Sequence, residues 1–481
     1  SDHDYRTVLQ DQNPWWASGA VPGSLAPAAE RAIVERLVRV LSLNTPRRFR
    51  LILGPRRVGK TTVMYQMVRR LLAEGVPKDR VLWFRLDHPL HIRQSLGRVI
   101  DDACSSAGAS DATPAYLFLD EVTYAEDWDL WLKTAYDEHK PVRIVATSSA
   151  VAALRNKRME SGIGRWEEYY LAPYLFNEYL SLTGKPLPLQ LGRTLAETLA
   201  AVADESVPVG LDQELRRFLF TGGFPELLLH AESLARDEAA ALIESQRVLR
   251  ADAVERVVWK DIPQAMPVEN PMVLERLLYV LGGQIGSIMS PESICATVRD
   301  LSTPTFERYV KYLELAYTIF TLQNYSPKEE TRQRRGRKVY FTEGAVRNAA
   351  LQRGLTPMTS PEEMGLLYEN AVAAHLHTLA QHGEGPTRYW RDSGHEVDFI
   401  YDHPKGPVAI DVGSSTSHGR AGLARFAERH ARFESATYLA IPRLSRGTPP
   451  GASRIGEIPI ELLLAAIGAH ADASLLRRVG G

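Results

Sequence analysis

Gly54-Pro55-Arg56-Arg57-Val58-Gly59-Lys60-Thr61, followed by Thr62, fits the pattern G-x-x-x-x-G-K-[ST] at every position. Phe49–Leu53 before it reads as a short buried strand. Thr61–Glu74 after it reads as an amphipathic helix. A glycine loop between a strand and a helix start is a device for holding phosphate. The glycines let backbone N–H groups wrap an anion, and the helix adds its positive end. Lys60 can reach the outer phosphates of a triphosphate, and the Thr61 hydroxyl can take one position around Mg2+. ATP and Mg2+ are therefore the expected ligands, with the site running from Gly54 to Thr62.

Further strands are expected at Val81–Leu86, Tyr116–Leu119 and Val142–Thr147, with helical segments between them. That alternation predicts an α/β domain built on a parallel sheet with helices on both faces. Leu117-Phe118-Leu119-Asp120-Glu121 is an apolar run that ends in two carboxylates. Behind a phosphate loop, Asp120 is expected to hold the Mg2+ shell and Glu121 to orient and polarise the attacking water. The next strand ends in Ala146-Thr147-Ser148-Ser149. Thr147 and Ser148 there either touch the γ-phosphate or the attacking water, or simply lie in a turn.

The whole chain is longer than one ordinary domain. Its 481 residues suggest roughly three domains at about 150 residues each. Hydrophobic residues make up 44% and charged residues 24%, so each domain can bury a core. The net charge of −1 selects no partner, and any nucleic-acid contact must come from a local basic patch. Two distant cysteines, Cys104 and Cys295, lack metal-ligand spacing and are expected to be reduced and buried in a cytoplasmic protein. The histidines show no zinc-ligand spacing. No window of about 18 residues is apolar and uncharged, so no membrane span is expected.

These motifs carry a resemblance. GPRRVGKTT, then LDEV with Asp127-Trp128, then ATSS, Gly164-Arg165 and Leu171-Ala172-Pro173-Tyr174 with Phe176 and Glu178, resemble the bacterial and archaeal AAA-type ATPases that carry an attached domain of unknown function. Asn13-Pro14-Trp15-Trp16 resembles some members as well. The resemblance implies ATP and Mg2+ binding and a catalytic Glu121. Arg165 falls at the family's Gly-Arg pair. It is read as an arginine finger, in cis or from a neighbouring subunit of a homo-oligomer, or else as a helix-start arginine paired with Glu167 or Glu168.

Five segments are expected: an arm over 1–27, the ATPase domain over 28–160, a helical region over 161–265, a winged helix over 266–350 and a nuclease-like domain over 351–481. Trp15 and Trp16 in the arm cover an adenine face, cover a domain edge, or simply pack. In the fourth segment Ser290 and Thr303-Pro304 mark helix starts, and Ile319–Leu322 with Val339–Phe341 reads as a hairpin. Its loop, 326–338, has six basic residues against two acidic ones. Arg332, Arg334, Arg335 and Arg337, with Arg308 and Lys311 on the preceding helix, are the candidate DNA contacts; a protein-binding wing is the rival.

The last segment resembles the PD-(D/E)XK nuclease superfamily. Glu369, Asp398 and Asp411 stand at the places of acidic metal ligands, but the lysine position holds Gly413. The resemblance therefore implies a degenerate fold used for docking or DNA binding, with cleavage disfavoured. Three functions remain: an ATP-driven nucleic-acid-associated protein, an ATP-switched scaffold for protein partners, and an ATP-gated nuclease.

Overall fold

A computed structural model describes residues 2–43, 48–91, 94–149, 164–228, 237–413, 420–442 and 455–477. The chain divides into two compact units, residues 1–171 with 475–481, and residues 172–474. The expected boundary at residue 160 lies among residues 150–163, outside the described residues.

The first unit is built on five strands: β1 (Phe49–Gly54), β2 (Val81–Arg85), β3 (Ala115–Asp120), β4 (Val142–Ser149) and β5 (Trp166–Tyr170). Their order is β2-β3-β4-β1-β5 and every pairing is parallel. β1 is buried at all six positions, which fits a strand covered on both faces. Helices Ala32–Ser42, Lys60–Ala73, Leu96–Ser106 and Trp128–Asp137 flank the sheet.

β5 is a departure from the sequence reading, which took the chain after Gly164 as mostly helical. Trp166-Glu167-Glu168-Tyr169-Tyr170 is short and buries Trp166 and Tyr169 while Glu168 faces outward. An edge strand of this kind gains its conformation from pairing with β1, not from a strong local pattern.

The other edge, β2, needs protection because its outward N–H and C=O groups have no neighbouring strand. The arm supplies it. Asn13 Nδ2 donates to the Trp83 carbonyl at 2.9 Å, and the Trp83 N–H donates to Asn13 Oδ1 at 2.6 Å. The Trp15 and Trp16 indoles both donate to the Val81 carbonyl, at 3.0 and 2.9 Å. The Arg85 N–H donates to Gln12 Oε1 at 3.1 Å. Val81, Trp83 and Arg85 alternate along β2, so these are the groups that point out of the sheet. The arm packs, with Trp15 fully buried, and in packing it covers the edge of β2.

The second unit holds a mixed five-stranded sheet, ordered β12-β11-β10-β9-β8. Its strands are β8 (Thr387–Asp392), β9 (His395–Tyr401), β10 (Val408–Val412), β11 (Thr437–Ile441) and β12 (Gly456–Pro459). β8, β9 and β10 pair antiparallel, while β10, β11 and β12 pair parallel. Helix Pro361–Gln381 packs on it, burying Leu367, Val372, Leu376 and Leu379.

Ahead of that sheet come helices Pro271–Gly282, Pro291–Thr297 and Thr303–Leu315 and the antiparallel pair β6 (Ile319–Leu322) and β7 (Lys338–Phe341). Ser290 caps the middle helix and Thr303-Pro304 opens the third, both as expected; Ser302 caps the third, accepting from the Thr305 N–H. The loop between β6 and β7 contains a helix, Glu329–Arg334. Cys104 and Cys295 are free and half-buried, a correction to the expectation of buried thiols. Among the described residues, no helix is long and apolar enough to cross a membrane.

Candidate nucleotide site and a second carboxylate cluster

β1 ends at Gly54, beside the ends of β3 and β4, at the edge where open parallel sheets place ligands. Two glycines are dictated by geometry. A Cβ at Gly54 would lie 2.2 Å from the Leu171 carbonyl oxygen, and Gly59 has φ 94°, where side chains are strained. From Lys60 the chain is helical to Ala73.

Lys60 is buried, and its ammonium lies on the loop's own carbonyls, 2.9 Å from Gly54 O and 2.7 Å from Pro55 O. Burial lowers its pKa to about 8, against the opposing pull of Glu121 and Asp120. The Thr61 hydroxyl donates to the Asp120 carboxylate, with both oxygens at 3.1 Å. Burial pushes the Asp120 carboxyl up, while hydrogen bonds from Thr147 and Thr61 oppose the shift.

Thr147 is the hub of the carboxylate side. Its hydroxyl donates to Asp120 Oδ1 at 2.7 Å and accepts from the Glu121 N–H at 3.1 Å. Glu121 has φ 54° and ψ 53°, the left-handed region, which costs a non-glycine residue about 1–3 kcal/mol. That turn carries its carboxylate to β4, where the Ser149 N–H donates to Oε2 at 3.0 Å. Ser148 instead pairs with Thr123 at 3.0 Å and donates to the Ser149 carbonyl. Ser149 and Thr123 join the site without a local pattern to single them out, and it is the amide of Ser149, not its hydroxyl, that meets Glu121.

Arg165 is not brought to this loop. It precedes β5, and the register pairs Phe49 with Trp166 at the start of β1, five residues from Gly54. At about 3.3 Å per residue that is roughly 16 Å from the phosphate loop of its own chain. Its guanidinium meets Asp137 Oδ1 at 3.0 Å, a partner other than Glu167 or Glu168.

In the second unit, Glu369, Asp398 and Asp411 do come together. Asp398 N–H donates to Asp411 Oδ1 and Val412 N–H donates to Asp398 Oδ2, both at 3.0 Å. Tyr340 Oη donates to Glu369 Oε1 at 2.8 Å. Burial and mutual repulsion raise the pKa of both Glu369 and Asp411. Lys338, at the start of β7, enters the same cluster. It pairs with Glu396, lies 3.6 Å from Asp398 Oδ1 and is 1% exposed. Lys405 is on the loop at the opposite end of β10 from Asp411 and does not take part.

The basic loop is largely engaged within the chain. Arg332 pairs with Glu329 and donates to the Ser326 carbonyl at 2.7 Å. Arg335 donates to the Arg391 carbonyl at 2.7 Å, and Arg337 pairs with Glu307 at 2.6 Å. Arg334 is exposed, as are Arg308 and Lys311 on the helix Thr303–Leu315.

Residues 46–180 match a family model described as an AAA domain. Residues 212–356 and 364–446 match two domains of unknown function, DUF8612 and DUF4143. An uncharacterized protein of Methanocaldococcus jannaschii is 25% identical over 378 residues, covering 76% of this chain and 75% of its own. A second from the same organism is 20% identical over 382 residues, covering 78% and 77%. Among solved structures, a Walker-type ATPase of Pyrococcus abyssi is similar over 66% of this chain and 94% of its own, with 14% identity and a TM-score of 0.42. The Orc1 protein of Aeropyrum pernix, solved in complex with DNA, covers 70% and 97%, with 14% identity and a TM-score of 0.29. Residues 46–180 thus combine a parallel sheet and a phosphate loop with a match to the AAA domain model.

Proposed function

We propose that the chain binds ATP with Mg2+ and hydrolyses it at the carboxyl ends of β1, β3 and β4. One observation carries the reading. The Thr61 hydroxyl, both Asp120 oxygens, the Thr147 hydroxyl and the Glu121 N–H form one continuous hydrogen-bonded set beside the loop that Lys60 closes. Thr61 and Asp120 are the residues that would hold Mg2+, which would supply positive charge to offset that of the outer phosphates.

The chain's own groups do the rest. Lys60 exchanges the Gly54 and Pro55 carbonyls for phosphate oxygens. Backbone N–H groups of the loop wrap the β-phosphate. Glu121 orients the attacking water and takes its proton as the oxygen bonds to the γ-phosphorus. The bond to the bridging oxygen breaks, leaving ADP and phosphate. Thr147 positions both carboxylate-bearing residues.

Phosphate release from ATP by the full chain is the test. Turnover requires Mg2+ and stops on addition of EDTA; an EDTA-insensitive rate, or none at all with Mg2+ present, removes the proposal.

A second reading, nucleic-acid association, is favoured by the exposed basic groups Arg308, Lys311 and Arg334. Arg335 is exposed too but donates to the Arg391 carbonyl, so the reading rests on the other three. Replacing them together by Glu is expected to reduce the salt slope of binding to a short DNA duplex by about 3. Fluorescence anisotropy at low salt reads this. An unchanged slope, or no binding by the native chain, removes this second reading.

A further inference from the structure

We infer that the Lys338 ammonium is the resident cation of the carboxylate cluster on β9 and β10, so that this cluster takes no divalent metal and performs no metal-dependent cleavage. Lys338 and Tyr340 are two residues apart on β7 and project from one face. Tyr340 donates to Glu369, and Lys338 is set against Glu396 and Asp398, themselves two apart on β9. The Lys338 Nζ also lies 5.4 Å from the centre of the Tyr389 ring, a face that favours a cation.

The carboxylate oxygens are committed in the same way. One oxygen of Asp398 accepts from Val412 N–H, its other faces Lys338, and one oxygen of Asp411 accepts from Asp398 N–H. Mg2+ demands near-octahedral oxygens at about 2.1 Å. Among the described residues, no group of three or more His, Cys, Asp or Glu is arranged to hold a metal ion. The expected ligand set Glu369, Asp398 and Asp411 therefore does not fit the metal that the nuclease resemblance implies.

Lack of access does not explain this. Glu369 and Gly413 line a cavity of about 400 Å³. What stands between the cluster and a metal is a fixed positive charge contributed by another strand. Gly413, at the place where a lysine was expected, leaves the charge to come from β7. Removing that charge would leave buried carboxylates without a counterion, which is strongly unfavourable until another cation enters.

Manganese(II) alone is the probe, followed by electron paramagnetic resonance of the free ion. The full chain is used without nucleotide and with Asp120→Asn, which silences the phosphate-loop site. With Lys338 in place, no Mn2+ is taken up at the cluster up to about 1 mM. Lys338→Met creates one site at least tenfold tighter than that limit, and adding Asp398→Asn abolishes it. Lys338→Arg, which keeps the charge, stays blank. Should Lys338→Met not fold, Lys338→Met with Glu396→Gln removes one charge of each sign and carries the same test. Uptake by the Lys338-bearing chain that disappears with Asp398→Asn overturns the inference, and so does a folded Lys338→Met variant that takes up nothing.

Discussion

Lys60→Ala reduces ATP turnover by about 10³-fold or more, at unchanged or slightly higher thermal stability. In the proposed site the ammonium meets the outer phosphates, and alanine withdraws that charge. Stability does not fall because Lys60 is buried on two carbonyls, a position whose desolvation already depresses its pKa to about 8. The same amine sets a pH dependence. Bound triphosphate holds it protonated, whereas in the free site it loses its proton above pH about 8. Nucleotide affinity is therefore flat below that pH. Above it, affinity falls by up to about tenfold per pH unit, because binding must take up a proton. Turnover within tenfold of the native rate in Lys60→Ala would remove the site assignment.

Glu121→Gln separates binding from chemistry. Gln keeps an oxygen for the Ser149 N–H and keeps the side chain's shape, so ATP affinity is expected within about twofold of native. It cannot take a proton from water, so the chemical step slows by about 10²–10⁴-fold. Equilibrium binding of a fluorescent ATP analogue and single-turnover hydrolysis read the two effects apart. Equal losses in both would mean that Glu121 serves only to hold the strained turn at φ 54°. A native single-turnover rate would mean that another group handles the water.

The two substitutions differ because their residues meet different constraints. Lys60 is placed by local sequence: strand, glycine turn and helix start follow one another within a dozen residues, and the backbone there has one low-energy course. Asp120 and Glu121 are legible as the end of an apolar run, Leu117–Leu119, although β3 itself extends through the buried Asp120. The hydrogen bonds that Thr147 donates to Asp120 and Ser149 donates to Glu121 require the parallel pairing of β3 with β4, which no local pattern states. β5 was missed because an edge strand with a single pairing partner has only a weak pattern of its own.

The C-terminal region shows the same limit more strongly. Glu369, Asp398 and Asp411 were identified from their positions on a helix and two strands, and they do converge. Lys338 lies more than thirty residues before the first of them, in a segment read as part of a different domain. Its charge reached the cluster only because β7 packs against helix Pro361–Gln381 and directs Lys338 toward β9. The arginines of the loop after β6 likewise looked available in sequence, yet Arg332, Arg335 and Arg337 meet partners near and far along the chain.

Sequence alone determined the phosphate loop, the two carboxylates at the end of β3 and the α/β character of the first unit. Each is written in contiguous residues, where covalent connection fixes geometry. The tertiary structure decided what shields β2, where Arg165 stands, which arginines remain exposed and which cation neutralises the second carboxylate cluster. Those are contacts between groups distant along the chain, set by strand order and burial, and burial acts on all neighbours in space at once.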